Sequence, residues 1–223
     1  MFNRVKNHVL RMFVFLKSLS RPAHEEEERR GERSASTEPC TSLTVWRKSL
    51  LMSCNGFTVI DCHGDVVYRV DNYTGRRPKE LVLMDGSGRS ILAMRRSKNL
   101  RLLDTWFVYG GEVGDHLTTS IKEPIFYVKK CINILHGNPN VLAYIYRCWS
   151  SEKRYAYAIE GSYSHRSCRV FDERKRVVAE IKRKDAIIGG VPFGAEVFML
   201  IVETGFDPGF AMALVLLLDQ MFS

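Results

Sequence analysis

From residue 43 to residue 203, apolar and polar positions alternate with a period of two rather than 3.6, in short runs separated by turn-forming residues. The runs are 43–47, 57–60, 66–71, 81–84, 90–95, 105–110, 125–131, 141–148, 155–160, 168–171, 177–183 and 196–203. They predict twelve strands, each with one face buried and one wet; Val177, Ala179 and Ile181 share one side of a strand and Glu180, Lys182 and Lys184 the other. Three connections repeat a pattern of two apolar residues, Asp, two variable residues and a turn residue: Asp61 to Gly64, Asp85 to Gly88 and Asp172 to Lys175. Asp opens a type I turn and a residue in the left-handed region closes a hairpin bulge, so these are hairpins. Lys175 stands where the other two have glycine, and must take a positive φ unless its turn is longer.

The pattern changes after residue 206. Asp207 and Pro208 form a helix start, with a side-chain oxygen for the free amides of the first turn and a proline where no N–H is needed. From Gly209 to Leu218 every residue is apolar, so a helix over 208–221 has no polar stripe and must be enclosed. The run is about half the ~20 residues that span a bilayer, and Asp207 and Asp219 bracket it, so protein is the expected container. Twelve strands and one all-apolar helix predict a mainly β protein: a closed antiparallel barrel enclosing the C-terminal helix. The alternative is a two-sheet sandwich with the helix packed against it.

The residues before 43 follow neither period. Phe2, Val5, Val9, Met12, Leu16 and Leu19 have heptad spacing while Arg4, Arg11 and Ser18 fall on another face, and no acidic residue precedes Glu25. This basic amphipathic segment, 1–20, reads as a membrane-surface helix, an organelle-targeting presequence or a disordered extension. Its longest clean apolar run, Met12 to Leu16, is too short for a secretory signal. Residues 21–42, with Glu25 to Glu28, Arg29 and Arg30, have the composition of a disordered linker, which puts the folded domain at 43–223.

Charge narrows the partners more than the activity. The formal net charge of +8 predicts attraction to anionic surfaces. Six cysteines without a CxxC pair read as reduced thiols in a cytoplasmic or nuclear protein. His165 and Cys168, and Cys62 and His63, have ligand-like spacing without a second pair, so no metal site is expected and no cofactor is called for.

At the level of motifs, Leu43-Thr44-Val45-Trp46-Arg47-Lys48-Ser49-Leu50, Gly56-Phe57-Thr58-Val59, the Asp61 and Asp85 turns, and Trp106, Tyr109, Gly111 and Glu112 resemble the plant LURP-one-related family. So do Ile159-Glu160-Gly161, Val178-Ala179-Glu180-Ile181, Glu196-Val197-Phe198 and the helix ending Leu218-Asp219. The resemblance implies a tubby-like fold, a twelve-stranded barrel around a central hydrophobic helix, shared with tubby proteins and phospholipid scramblases. The chain departs from the pattern in its basic N-terminal extension and in Gly189-Gly190-Val191-Pro192-Phe193-Gly194.

Catalytic motifs do not emerge. Gly86-Ser87-Gly88 is a hairpin turn rather than a nucleophile elbow, the six histidines are scattered, and no Walker loop is present. The expectation is a non-enzymatic, monomeric barrel. Its candidate polyanion contacts are three basic clusters at strand ends and in a loop: Arg76, Arg77 and Lys79; Arg95, Arg96, Lys98 and Arg101; and Lys182, Arg183 and Lys184. Anionic membrane phospholipid is the leading partner, ahead of a protein partner and of nucleic acid, and the expected location is cytoplasmic, peripheral at a membrane, or nuclear.

Overall fold

A computed structural model describes residues 40–50, 55–71, 80–97, 104–111, 123–131, 140–150, 154–184, 187–188, 191–192 and 194–223. The predicted extension 1–20 and nearly all of the linker 21–42 lie outside the described residues.

The strands are β1 (Thr41–Trp46), β2 (Phe57–Ile60), β3 (Val66–Val70), β4 (Glu80–Asp85), β5 (Ser90–Arg96), β6 (Thr105–Gly110), β7 (Phe126–Lys130), β8 (Val141–Arg147), β9 (Tyr157–Ser162), β10 (Ser167–Asp172), β11 (Val177–Arg183), β12 (Ile187–Ile188), β13 (Val191–Pro192) and β14 (Val197–Val202). Twelve of them close a barrel in which each strand pairs antiparallel with its sequence neighbours. β14 closes it by pairing β11 on one side and β1 on the other. The barrel, not the sandwich, is the solution this chain adopts. β12 and β13 form a separate two-stranded hairpin in the β11–β14 connection. This pairing was not expected from the glycine-rich 189–194 segment, where runs of two residues are too short to show a period.

Inward positions follow the period of two. Leu43 and Val45 on β1 register with Leu200 and Phe198 on β14, and Ile181 with Leu200 across the next pair; all five are buried. They meet α1 (Pro208–Phe222), which runs down the bore and is buried without interruption from Gly209 to Asp219. The Asp207 carboxylate accepts from the Phe210 amide at 2.6 Å, and Pro208 occupies the first turn. The helix needs no polar face because the barrel supplies apolar neighbours all round.

The three Asp turns form as read. Each Asp side chain accepts from backbone amides two or four residues on: His63 and Asp65 to Asp61, Arg89 to Asp85, Arg174 and Arg176 to Asp172. Gly64 and Gly88 take φ of 88° and 91°, and Lys175 takes 63°, the left-handed conformation its position demands. Gly161 on β9 is a second backbone-determined site: at φ 117° an added Cβ would lie 2.1 Å from the Ser167 carbonyl oxygen.

The barrel therefore has two chemically distinct ends. The Asp207 end carries the helix N-terminus, the start of β1 and the hairpin turns at 61–65, 85–89 and 172–176. The Asp219 end carries the helix C-terminus and the final residues of β1, β3, β5, β7 and β11.

Candidate polyanion-binding end

The Asp219 end is organised by one buried carboxylate inside it. Asp219, 2% exposed, accepts from Tyr163 Oη at 3.0 Å and Ser223 Oγ at 2.8 Å, and pairs with the Arg47 guanidinium at 3.1 Å. Burial works against the charge of Arg47, but Asp219 and Glu196 more than restore it, and its pKa is raised. Lys130 donates to the Met221 carbonyl and lies 4.3 Å from the Phe222 ring centroid. A cation at the last carbonyls of a helix also meets the negative end of its dipole. Arg166, 7% exposed, is held between the Tyr163 and Phe198 rings at 4.2 and 4.5 Å and donates to the Ala195 carbonyl at 3.0 Å. Arg47 and Lys130 tie the helix end to the barrel wall, and Arg166 braces Tyr163, which itself donates to Asp219.

The cationic residues nominated from sequence converge here so far as they are described. Arg95 and Arg96 end β5, and Lys182, Arg183 and Lys184 close β11. Arg76, Arg77, Lys79, Lys98 and Arg101 lie outside the described residues, but the strand ends that their segments join, Val70 to Glu80 and Arg96 to Thr105, are at this same end.

Their availability differs. Arg95 pairs with Glu80, its cross-strand neighbour, at 2.8 Å, and Arg96 with Asp104 at 2.6 Å; all four side chains are partly exposed. Lys182 pairs with Glu180 yet stays half exposed. Lys184 is 3% exposed and donates to Thr44 Oγ1 at 2.9 Å, so it faces protein rather than solvent. Arg183 is exposed. Two lysines that the sequence did not single out sit on this rim: Lys48, exposed and 5.5 Å from the Trp46 ring, and Lys129, beside the stacked Tyr127 and Tyr146 rings at 5.2 and 5.5 Å from their centroids. A lysine two residues beyond a strand-terminal tryptophan was the available signal for the first.

Among the described residues, no group of three or more His, Cys, Asp or Glu side chains is arranged to hold a metal ion. Cys40, Cys62, Cys131, Cys148 and Cys168 are free thiols, and burial pushes the Cys168 thiol up to about 12. No described helix is long and apolar enough to cross a membrane.

Comparison with known proteins places this architecture. A family model described as LURP-one-related matches residues 41–219, from the first strand to the buried carboxylate of the helix. The chain belongs to the LURP-one-related family. Protein LURP-one-related 17 of Arabidopsis thaliana is 48% identical over 222 residues, covering 95% of this chain and all of that protein. LURP-one-related 8 of the same plant is also 48% identical, over 81% of this chain and 86% of its own length. A crystal structure of an Arabidopsis thaliana protein shares the fold, with a TM-score of 0.57 at 22% identity over 82% of this chain and 91% of that one. For this LURP-one-related chain the family match ends at Asp219, the residue that Arg47 and Tyr163 hold.

Proposed function

We propose that the protein is a non-catalytic barrel, a tether or regulator, that rests its Asp219 end on anionic phospholipid. One observation carries the reading: the described members of the basic clusters read from sequence, Arg95, Arg96, Lys182, Arg183 and Lys184, all fall at the Asp219 end, while at the other end Arg89, Arg147 and Arg176 are each paired with a carboxylate. Lys48, Lys182 and Arg183 are its exposed cations, with Lys129 half-buried beside them. Arg95 and Arg96 are held by carboxylates and contribute to the field more than to contacts. Each Lys or Arg close to an anionic leaflet contributes about 1 kcal/mol, so four support weak, reversible and salt-sensitive attachment.

Vesicle co-sedimentation of the full chain tests this. Phosphatidylcholine vesicles doped with phosphatidylserine or a phosphoinositide should retain the protein and undoped vesicles should not. Lys182→Ala with Arg183→Ala should weaken retention about 30-fold, the equivalent of ~2 kcal/mol, without altering thermal stability. Indifference to lipid charge, or tighter binding to nucleic acid than to vesicles, contradicts the proposal.

A second reading, a protein-interaction module, rests on a different surface. Phe107, Tyr127, Tyr144 and Tyr146 line the outer wall across β6, β7 and β8, with the Tyr127 and Tyr146 rings stacked at 4.8 Å and 9°. Aromatic residues of this kind are enriched at protein interfaces. Retention of a partner by the Lys182→Ala, Arg183→Ala protein in lipid-free solution would favour it.

A further inference from the structure

The opposite end of the barrel holds a cleft that the lipid reading does not use. It encloses about 310 Å³ and is lined by Leu92, Val108, Ile125, Phe126, Tyr157, Gly205, Phe206, Asp207 and Phe210. Its wall is a continuous aromatic cluster. Phe126 stacks on Phe210 at 4.5 Å, Tyr157 meets Phe206 edge-on at 5.2 Å, and Phe206 meets Phe210 at 5.7 Å. Trp149 extends the cluster outward, 5.7 Å from Phe126 and 66% exposed, the one large hydrophobic side chain so exposed among the described residues. Trp149 and the cleft's aromatic wall form one continuous apolar surface, of the kind that receives an apolar partner.

We infer that the occupant is the chain's own N-terminal segment, residues 1–20, whose apolar side chains seat in the cleft at the Asp207 end. Three observations converge on it. The first is where the chain leaves the barrel. Thr41 registers with Val202, and Gly205, three residues further on, lines the cleft. Residues 21–40 are polar and charged, and a flexible stretch of that length has a root-mean-square span of roughly 25 Å. The gap from Thr41 to Gly205 is at most about 15 Å, one strand spacing plus three extended residues, so the segment is tethered at high effective concentration.

The second is chemistry. Residues 1–20 carry Phe2, Val5, Val9, Met12, Phe13, Leu16 and no acidic residue. Their apolar stripe has no partner within its own segment, and so short a helix needs one to be stable in water. The cleft's volume is at the low end of the ~300–1,000 Å³ typical of ligand sites, which suits one or two bulky side chains with Trp149 covering them.

The third is charge. Glu123 and Glu203 stand two residues from the lining residues Ile125 and Gly205, and Asp207 is itself in the lining. None of these three carboxylates forms an ion pair among the described residues, and Arg4, Lys6, Arg11 and Lys17 supply the opposite sign. The similarity to LURP-one-related 17 fits this arrangement. It covers 95% of the chain, whereas residues 41–223 are only about four-fifths of it, so it extends upstream of β1.

The test uses the full chain in dilute, lipid-free solution, so its failure is separate from failure of the lipid reading. A benzophenone amino acid in place of Phe13 should cross-link within the same molecule to peptides containing Phe126, Trp149 or Gly205 to Phe210. Cross-links spread over the barrel, located at the Asp219 end, or formed only between two molecules would overturn the inference. Trp149 emission provides a second readout. Met12→Asp with Leu16→Asp, both upstream of β1, should shift the emission maximum to the red while leaving the thermal transition of the barrel unchanged. Trp149→Phe should abolish that shift, because Trp106 is buried in the core and Trp46 ends β1 at the opposite end of the barrel. An emission spectrum unchanged by the two substitutions would also overturn it.

Discussion

Lys175 shows how strictly a single position can be dictated by its neighbours. Asp61 and Asp85 turns close with glycine, and the Asp172 turn closes with a lysine at φ 63°. An L side chain in that region costs about 1–2 kcal/mol, and the one ion pair that Lys175 makes, with Glu160 at 3.8 Å, is solvent-exposed and adds little. Lys175→Gly should therefore stabilise the protein by about 0.5–1 kcal/mol, after the entropy that glycine gains in the unfolded chain, raising Tm by roughly 2 °C in a thermal melt. The same turns respond to acid. The Ser87 hydroxyl and the Arg89 amide hold the Asp85 carboxyl well below the usual carboxylate range, and the Arg176 amide first among its partners does the same for Asp172. A carboxylate with a lowered folded pKa stabilises the fold above its unfolded value, and that contribution disappears as pH falls through the folded one. Stability measured in urea should be level from neutral pH to about pH 5 and decline below pH ~4. Replacing both residues with Asn should flatten that decline.

At the scale of elements, strand positions were legible from their period of two, and the enclosed helix from a capped run with no polar stripe; both patterns are local and survive translation into structure. The three Asp turns, the alternation on β11 and the unbroken apolar run from Gly209 to Leu218 all reappear in place. What periodicity does not carry is cross-strand register. Arg95 looked like a free cation, yet register sets Glu80 opposite it. Lys184 fell on the polar face of its strand, yet it is buried against Thr44, 140 residues away. Asp219 read as the polar bracket of an apolar run, and its partners Arg47 and Tyr163 come from remote parts of the chain. Arg166 carried no local sign that two aromatic rings would enclose it. The helix itself gives the sharpest element-level prediction. Leu217 is 1% exposed with apolar atoms on every side. Leu217→Asp would bury a carboxylate with neither water nor a counter-ion, a cost of several kcal/mol that exceeds the margin of a typical domain. It should yield protein without a cooperative unfolding transition by circular dichroism, while Leu217→Ala, at about 2–5 kcal/mol, keeps a weakened one. A compact, cooperatively folded Leu217→Asp protein would contradict the enclosed-helix architecture.

For the whole molecule, the closed barrel makes polarity along its axis the main functional variable. Its wall has no free strand edge to offer a partner, so contacts fall to the two ends and to the outer aromatic face. One end gathers cations around the helix C-terminus; the other carries an aromatic cleft at the helix N-terminus, edged by Glu123, Glu203 and Asp207. The second end is mixed in charge, with Arg89, Arg147 and Arg176 paired to carboxylates there, and the proposed function has an anionic bilayer engage the first. The most direct measurement of this polarity is hydrogen exchange by mass spectrometry on the full chain, free and bound to phosphoinositide-doped vesicles. Slowed exchange should be confined to Arg47–Leu50, Ser97 and Arg183–Glu196, with the turns at 61–65, 85–89 and 172–176 unchanged. Slowed exchange at those Asp turns, or equal protection by neutral vesicles, would contradict it.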